Sequence, residues 1–249
     1  MGCKHFKIAV YMFLIICCVW IEAEEGWEEI SIKLEDSVWA SSEYEEFIRG
    51  SRVRYVASNV FDKDVRTCWV EASEGDGAGE SITFITNRSV TRVGLVNGFA
   101  RNGTLYGCNN RVKRLGVYLI AAFTAPGLVS ELDYYLYFGR TMKAEGSVEV
   151  QDTAHMQYFD FPFTSEEQES FLHSSMELFL EENPFLAKKI EEQLGYESTN
   201  DLQGRKRSAF LSEVREAYSI LCVRFEIEEV YRGSRFNDTC LTELDVVFE

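Results

Sequence analysis

The sequence predicts a mainly β protein: a β-sandwich with an α-helical insertion. Three observations carry that expectation. Between about residues 55 and 161, short apolar runs recur with Gly and Asn between them, which is the spacing of sandwich strands. From 163 to 218 the apolar period becomes that of a helix. Alternation by two then returns and continues to the C-terminus.

Each element follows from its own residues. The runs 81–86 and 90–96 are bounded by Asn87-Arg88 and Asn97-Gly98. Leu115, Val117 and Leu119 alternate with Gly116 and Tyr118; 134–138 is dominated by aromatic residues, and 156–161 repeats that flavour. Thr164, with Glu167 three residues later, is a capping-box signature. Leu172, Met176 and Phe179 then recur at helical spacing. Asn183-Pro184 stops this helix and starts another, with Leu186, Ile190 and Leu194 on one face and Gly195 at its end. A polar loop over 197–207 follows, and 210–218 adds a further turn or two. The apolar stripe of this insertion, 163–218, reads as core rather than as a cofactor surface. Leu221, Val223, Phe225 and Ile227 alternate with Arg224, Glu226 and Glu228, and 241–248 forms the last strand.

Composition bounds the function classes. Lys4 and Lys7 precede an apolar run over 8–21, with Ala23 before an acidic stretch, so 1–23 reads as a secretory signal peptide. The run is short for a membrane span, and an uncleaved N-terminal anchor is the lesser alternative. Removing 1–23 takes away Lys4, Lys7 and Glu22, a net +1, and moves the charge from −16 to −17. Such a chain, 24–249, is expected to be exported (secreted, periplasmic or at the cell surface), with no span left and lipidation at Cys17 or Cys18 left open. Its acidity argues against nucleic acid or anionic lipid held through a basic patch, and it suits divalent cations and neutral ligands. Cys68, Cys108, Cys222 and Cys240 remain, enough for two disulfides in any of three pairings. The 46% hydrophobic content is ample for one large domain core.

Three segments carry a family likeness: 57–84 (ASNVFDKDVRTCWVEASEGDGAGESITF), 96–119 (VNGFARNGTLYGCNNRVKRLGVYL) and 227–249 (IEEVYRGSRFNDTCLTELDVVFE). Asp62, Thr67 and Trp69 have D-x-x-x-x-T-x-W spacing. Val96-Asn97-Gly98 and Asn109-Asn110-Arg111-Val112-Lys113 mark the second segment. Together these resemble discoidin-like domains, the galactose-binding-like jelly rolls of the coagulation-factor 5/8 type C group. They are most similar to the glycan-binding, translocation-assisting branch found in streptococcal NAD glycohydrolase and in bacterial surface proteins. Lys63, where many relatives have Gly, and Cys68 depart from the pattern, and the helical insertion is not part of it. The resemblance implies a galactose-binding-like β-sandwich jelly roll and a non-catalytic binding fold that recognises sugars through loops at one end.

Sugar recognition needs planar polar groups for hydroxyls and an aromatic ring for the apolar face. Asn97, Tyr106, Asn109, Asn110 and Arg111 offer this, joined by Glu71, Asp76 and Gly77 from the first segment and by Tyr231, Arg235, Asn237 and Asp238 from the last. The competing reading is structural: Trp69 in the core, Asn109 and Asn110 satisfying buried backbone, and Arg111 paired with Asp76 or Asp238. For a metal, Asp62, Asp64 and Thr67 sit at turn spacing and carry the oxygens a hard cation wants. The resemblance adds Glu243 and implies a structural Ca²⁺, while an Asp62 that merely caps a turn is the alternative. Catalysis is not expected. Glu71, Glu74, Asp76 and Glu80 offer carboxylate pairs of glycosidase type, but 41 acidic residues make accidental pairs inevitable. No Ser-His-Asp order, nucleophile elbow, phosphate loop or HExxH occurs. The reading is therefore an exported binding module for a glycan or glycoconjugate. The runner-up is a surface or periplasmic scaffold that takes a protein partner through 163–218.

Overall fold

The computed structural model describes residues 26–33, 35–130, 134–197 and 203–249. The segment read as a signal peptide, 1–23, lies outside them. In chain order the elements begin with β1 (Glu28–Lys33), β2 (Val38–Ala40), β3 (Tyr44–Ile48), β4 (Ser51–Tyr55) and a 3₁₀ turn, Ala57–Phe61. Next come β5 (Trp69–Val70), β6 (Ser81–Thr86), β7 (Val90–Asn97), α1 (Gly103–Cys108) and β8 (Asn110–Phe123). After these follow β9 (Tyr134–Lys143), β10 (Val148–Glu149) and β11 (Gln157–Asp160). The insertion contributes α2 (Ser165–Glu182), α3 (Pro184–Leu194) and α4 (Arg205–Tyr218), before β12 (Ser219–Tyr231) and β13 (Thr239–Phe248) close the chain.

The strands form a mainly β jelly-roll sandwich. One layer runs β1-β9-β8-β12-β6-β2, and the other is β11-β7-β13 with β5 added at the start of β13. The layers join where β13 runs parallel to β8 at Thr239↔Asn110 and Cys240↔Arg111. Alternation on β8 decides what faces where. Val117, Leu119, Ala121 and Phe123 enter the main core, while Ile120 and Ala122 meet Ile30, Ile32 and Cys222 on the outer face. Across the sandwich, Phe159 of β11 meets Phe225 of β12 edge-on at 6.2 Å.

Strands β1 to β4 lie upstream of the region where the period predicted strands. β3 and β4 form their own two-stranded sheet, turned by Arg49 and Gly50, both at positive φ (51° and 82°). Tyr44 stacks on Tyr55, and Tyr55 meets Phe99 edge-on, so the hairpin is pinned beside the loop that follows β7.

The insertion sits between β11 and β12, and its stripe is core. The capping box closes as predicted: Glu167 N–H donates to Thr164 Oγ1, and Thr164 N–H donates to Glu167 Oε2. Phe179 stacks on Phe123 with 5.3 Å between centroids, and Trp27 stands edge-on to both rings. Leu172, Met176, Ile190, Phe210 and Val214 share the cluster of Leu119 and Phe225. α4 is longer than the turn or two the pattern predicted, because Arg205, Lys206, Arg207 and Glu213 make its outer face read as loop. Among the described residues no helix is long and apolar enough to cross a membrane.

Candidate functional site at the loop end

One end of the sandwich gathers the loops around 62–68, 71–80, 98–109, 150–153 and 232–238, and nearly all the predicted site residues sit there. Asn97, the last residue of β7, is fully buried. Its Nδ2 donates to the carbonyls of Val112 and Gln151, and its Oδ1 accepts from the N–H groups of Gly98 and Val112. That fills both donors and both acceptor sites of the amide. Asn109 caps the C-terminus of α1, and its side chain donates to Leu105 O at 2.8 Å. Asn110 donates to Asn237 O and accepts from Gly233 N–H at 2.7 Å.

Arg111 is nearly buried, with its guanidinium held on every side. Nε and Nη2 make a bidentate pair with Asp152 at 3.0 and 2.9 Å, and Nη1 donates to the carbonyls of Asn109 and Arg232. The sequence reading paired Arg111 with Asp76 or Asp238; the structure gives it Asp152, from the loop between β10 and β11. Tyr106 completes the set, its ring 5.3 Å from the guanidinium carbon and its hydroxyl donating to Asp152 Oδ1 at 2.8 Å. Arg111 holds the Asp152 carboxyl below the ordinary carboxylate range, against the upward pull of burial. Burial and that hydrogen bond push the Tyr106 phenol up. Gly98 (φ 64°) is required here, because a Cβ would run into both Arg111 and Tyr106. The network is closed, and its polar atoms fasten loops to one another.

The first segment behaves alike. Glu71 is fully buried; Oε2 accepts from Ser73 N–H and Oγ–H, and Oε1 accepts from Thr239 N–H at 2.9 Å. Gly77 (φ 82°) passes so close that a Cβ would lie 2.8 Å from Glu71 Cγ. Asp76 accepts from Ala78 N–H and pairs with Arg232 at 2.8 Å, and its carbonyl accepts from Thr239 Oγ1. Glu80 accepts from the Ser41 and Ser42 hydroxyls, and Glu74 stands exposed. Asp238 passes its carbonyl to Asn110 N–H, and burial pushes its carboxyl up. Trp69 is core, with Nε1 donating to Ser42 O.

The 62–67 turn has a different character. Asp62 Oδ1 accepts from Asp64 N–H at 2.8 Å. Thr67 Oγ1 lies 2.7 Å from both Asp62 Oδ2 and the Asp64 carbonyl oxygen. A hydroxyl has one proton, so it can serve only one of these two oxygens. The Asp64 carboxylate turns outward to Arg66, which pulls it down to about 2. Lys63, at φ 61°, donates its N–H to Glu243 Oε1 at 3.2 Å, while Glu243 Oε2 is buried with no partner. Burial first, and then the charge of Asp62, push the Glu243 carboxyl up. The donor set is thus two carboxylates with a hydroxyl and a carbonyl, oxygens that fit a hard cation. Among the described residues no three His, Cys, Asp or Glu side chains surround one point.

Outside the closed network lies a rim that stays open. Phe236 is 41% exposed, and the Arg235 guanidinium carbon sits 5.0 Å from its ring centroid. The backbone N–H groups of Arg235 and Phe236 both donate to Cys108 O, which fixes this loop against the end of α1. Arg232 reaches across to Asp76 and donates to Asn237 Oδ1 at 2.9 Å. Asn237 in turn donates to Gly75 O. Tyr231 is held inward, donating to Val150 O. Sequence reasoning missed Phe236 even though it lies between Arg235 and Asn237. The available signal was an aromatic in a Gly-Ser loop, a setting in which no core is within reach.

A two-layer jelly roll whose loops are knitted together at one end defines a class, the discoidin-like F5/8 type C domains. The chain belongs to the NAD glycohydrolase translocation F5/8 type C domain family, whose model matches residues 32–247. No curated protein matches the chain. Among solved structures, the cryo-EM structure of a mutant arabinofuranosyltransferase AftD from mycobacteria is similar at a TM-score of 0.40 and 11% identity, over 90% of this chain and 11% of that one.

Proposed function

We propose that this chain is an exported recognition module that binds carbohydrate at the open rim of the loop end and carries out no chemistry of its own. One observation carries the reading: an exposed aromatic, Phe236, with Arg235 stacked on it, beside the Arg232–Asp76 pair and Asn237. A pyranose presents one apolar face and a ring of hydroxyls. The Phe236 ring suits the first, and the guanidinium, carboxylate and amide groups suit the second. In this reading Asn97, Asn109, Asn110, Arg111 and Glu71 are the supporting shell, which lowers the ordering cost of binding by holding the loops beforehand. Asp62, Thr67, the Asp64 carbonyl and Glu243 hold a structural Ca²⁺ that ties the first loop to β13. The basic, then apolar, N-terminal segment supports export.

The test is a glycan array probed with the purified chain and with Phe236→Ala and Arg235→Ala variants, whose folding is checked by thermal melting. Binding by the wild type that falls at least tenfold in both folded variants is expected. Arrays that stay silent for the wild type, or binding indifferent to both changes, would sink the proposal.

A second reading has its own observation. A groove of about 1250 Å³ runs between β9–β10 and α2, floored by Met142, Val148, Phe163 and Phe171. If the chain is instead a scaffold, a protein partner retained by wild type should be lost with Phe171→Glu and kept with Phe236→Ala.

A further inference from the structure

We propose that Cys68 and Cys240 form a disulfide in an oxidising compartment, and that Cys108 and Cys222 stay reduced. The four cysteines of 24–249 allow three two-bond pairings, and composition cannot choose among them. The structure can. Cys68 directly precedes β5 and Cys240 is the second residue of β13, and the β5–β13 register places Cys240 opposite Val70. Cys68 and Val70 therefore lie on the same side as Cys240, and all three belong to one small cluster with Phe99. Both thiols are fully buried within that cluster.

The other two cysteines are elsewhere. Cys222 lies on the outer face of the large sheet among Ile30, Ile32 and Ile120. Cys108 ends α1, half-buried beside the Ser234 hydroxyl. Neither faces a sulfur across a strand pair, so the partition is one bond and two thiols. A diagonal position is wide for a disulfide when both residues are held at strand spacing. Cys68 is not so held: it lies outside β5, just after the Thr67 turn.

The chemistry balances with an exported thiol–disulfide oxidoreductase as oxidant. A Cys68 or Cys240 thiolate attacks the enzyme's disulfide and forms a mixed disulfide. The second cysteine then displaces the enzyme sulfur. Two protons leave the protein's thiols, and two electrons reduce the enzyme's disulfide to a dithiol. Since both sulfurs are buried in the native state, oxidation belongs to folding rather than to the finished domain. The neighbouring Cys68 thiol and burial push the Cys240 thiol up, so a reduced Cys240 is a poor nucleophile once folded.

The consequence is local. Cys68 follows the 62–67 turn, and Cys240 follows Thr239, whose N–H holds Glu71. The bond locks both first-segment loops to the last strand.

The experiment uses the full chain, refolded in a glutathione redox buffer with disulfide isomerase, then denatured, alkylated without reductant and digested for mass spectrometry. One cross-linked peptide pair joining Cys68 to Cys240 is expected, with Cys108 and Cys222 alkylated. Adding reductant should lower the melting temperature of wild type by roughly 5–15 °C and leave a Cys68→Ala/Cys240→Ala variant unchanged. Alkylation at Cys68, Cys108, Cys222 and Cys240 alike, or a bond joining any other two of these, overturns the inference. The peptide map decides it even if the double variant does not fold.

Discussion

Glu243 carries the least comfortable carboxylate at the loop end, since one oxygen takes only a long bond from Lys63 N–H and the other is buried without a partner. Its carboxyl is pushed up, first by burial and then by Asp62. A carboxyl raised in the folded state binds its proton more tightly there than in the unfolded chain. Its contribution therefore favours folding at low pH and is lost as pH climbs from about 4.3 through the raised value. A bound cation reverses this by stabilising the ionised form. Calcium at about 5 mM should stabilise the wild type at pH 7 by ~1–2 kcal/mol relative to EDTA, for an affinity in the sub-millimolar to millimolar range. The gain should shrink as pH falls through the raised value of Glu243, where a proton competes with the cation for the carboxylate. Glu243→Gln should show no calcium gain and, in EDTA, should be more stable than wild type at pH 7. Paired melts of the two proteins decide the matter, and an equal calcium response in both would remove the site. Asp152 has the opposite sign. Arg111 lowers its carboxyl, so its contribution is full above about pH 3.9 and fades as pH falls through the lowered value.

Between elements, Gln168 is the clearest joint. Fully buried on α2, it accepts from Val90 N–H at 2.9 Å and donates to Val90 O and Phe163 O. A side-chain amide thus takes the place of a strand partner where β7 begins, and α2 is tied to the sheet by hydrogen bonds as well as packing. Gln168→Ala would leave three buried backbone groups unpaired and should cost roughly 2–4 kcal/mol in urea unfolding. Hydrogen exchange should quicken first at Val90 and along α2. A loss under about 0.5 kcal/mol would mean that water replaces the amide and the joint is unimportant. Nothing in the helical period of α2 reveals this, because Gln168 occupies a position that the pattern treats as merely polar.

For the molecule as a whole, the helices are part of the core rather than an appendage. Phe179, Ile190, Phe210 and Val214 are buried in the same cluster as Val117, Leu119 and Phe225, and Trp27 packs against Phe179 from the N-terminal side. Removing them would open the interior of the sandwich to water, at a cost far beyond the marginal stability of a domain. A chain lacking 164–218, bridged by a short Gly-Ser linker, should therefore lose its near-UV circular dichroism and its cooperative melt. A cooperative, native-like melt from that deletion would show that the sandwich stands alone.

Local features were legible before any coordinates. The capping box at Thr164, the Asn183-Pro184 break, the two-residue period of 221–227 and the D-x-x-x-x-T-x-W spacing all act over a few residues, so the chain displays them directly. The strands of 28–55 were not legible, since their runs are short, charged and turned by Arg49-Gly50 rather than by a stronger turn pair. Neither was the length of α4, whose outer face is almost wholly polar. The loop end was found by its residue types but not by its roles. Arg111 meets a carboxylate 41 residues away in sequence, and Glu71 meets a backbone N–H 168 residues away. Which polar groups occupy one another, and which are left facing water, is settled only when distant loops pack together. Composition and spacing thus fix the class of module, while long-range packing makes Asn97, Asn109 and Arg111 fasteners and leaves Phe236 and Arg235 exposed.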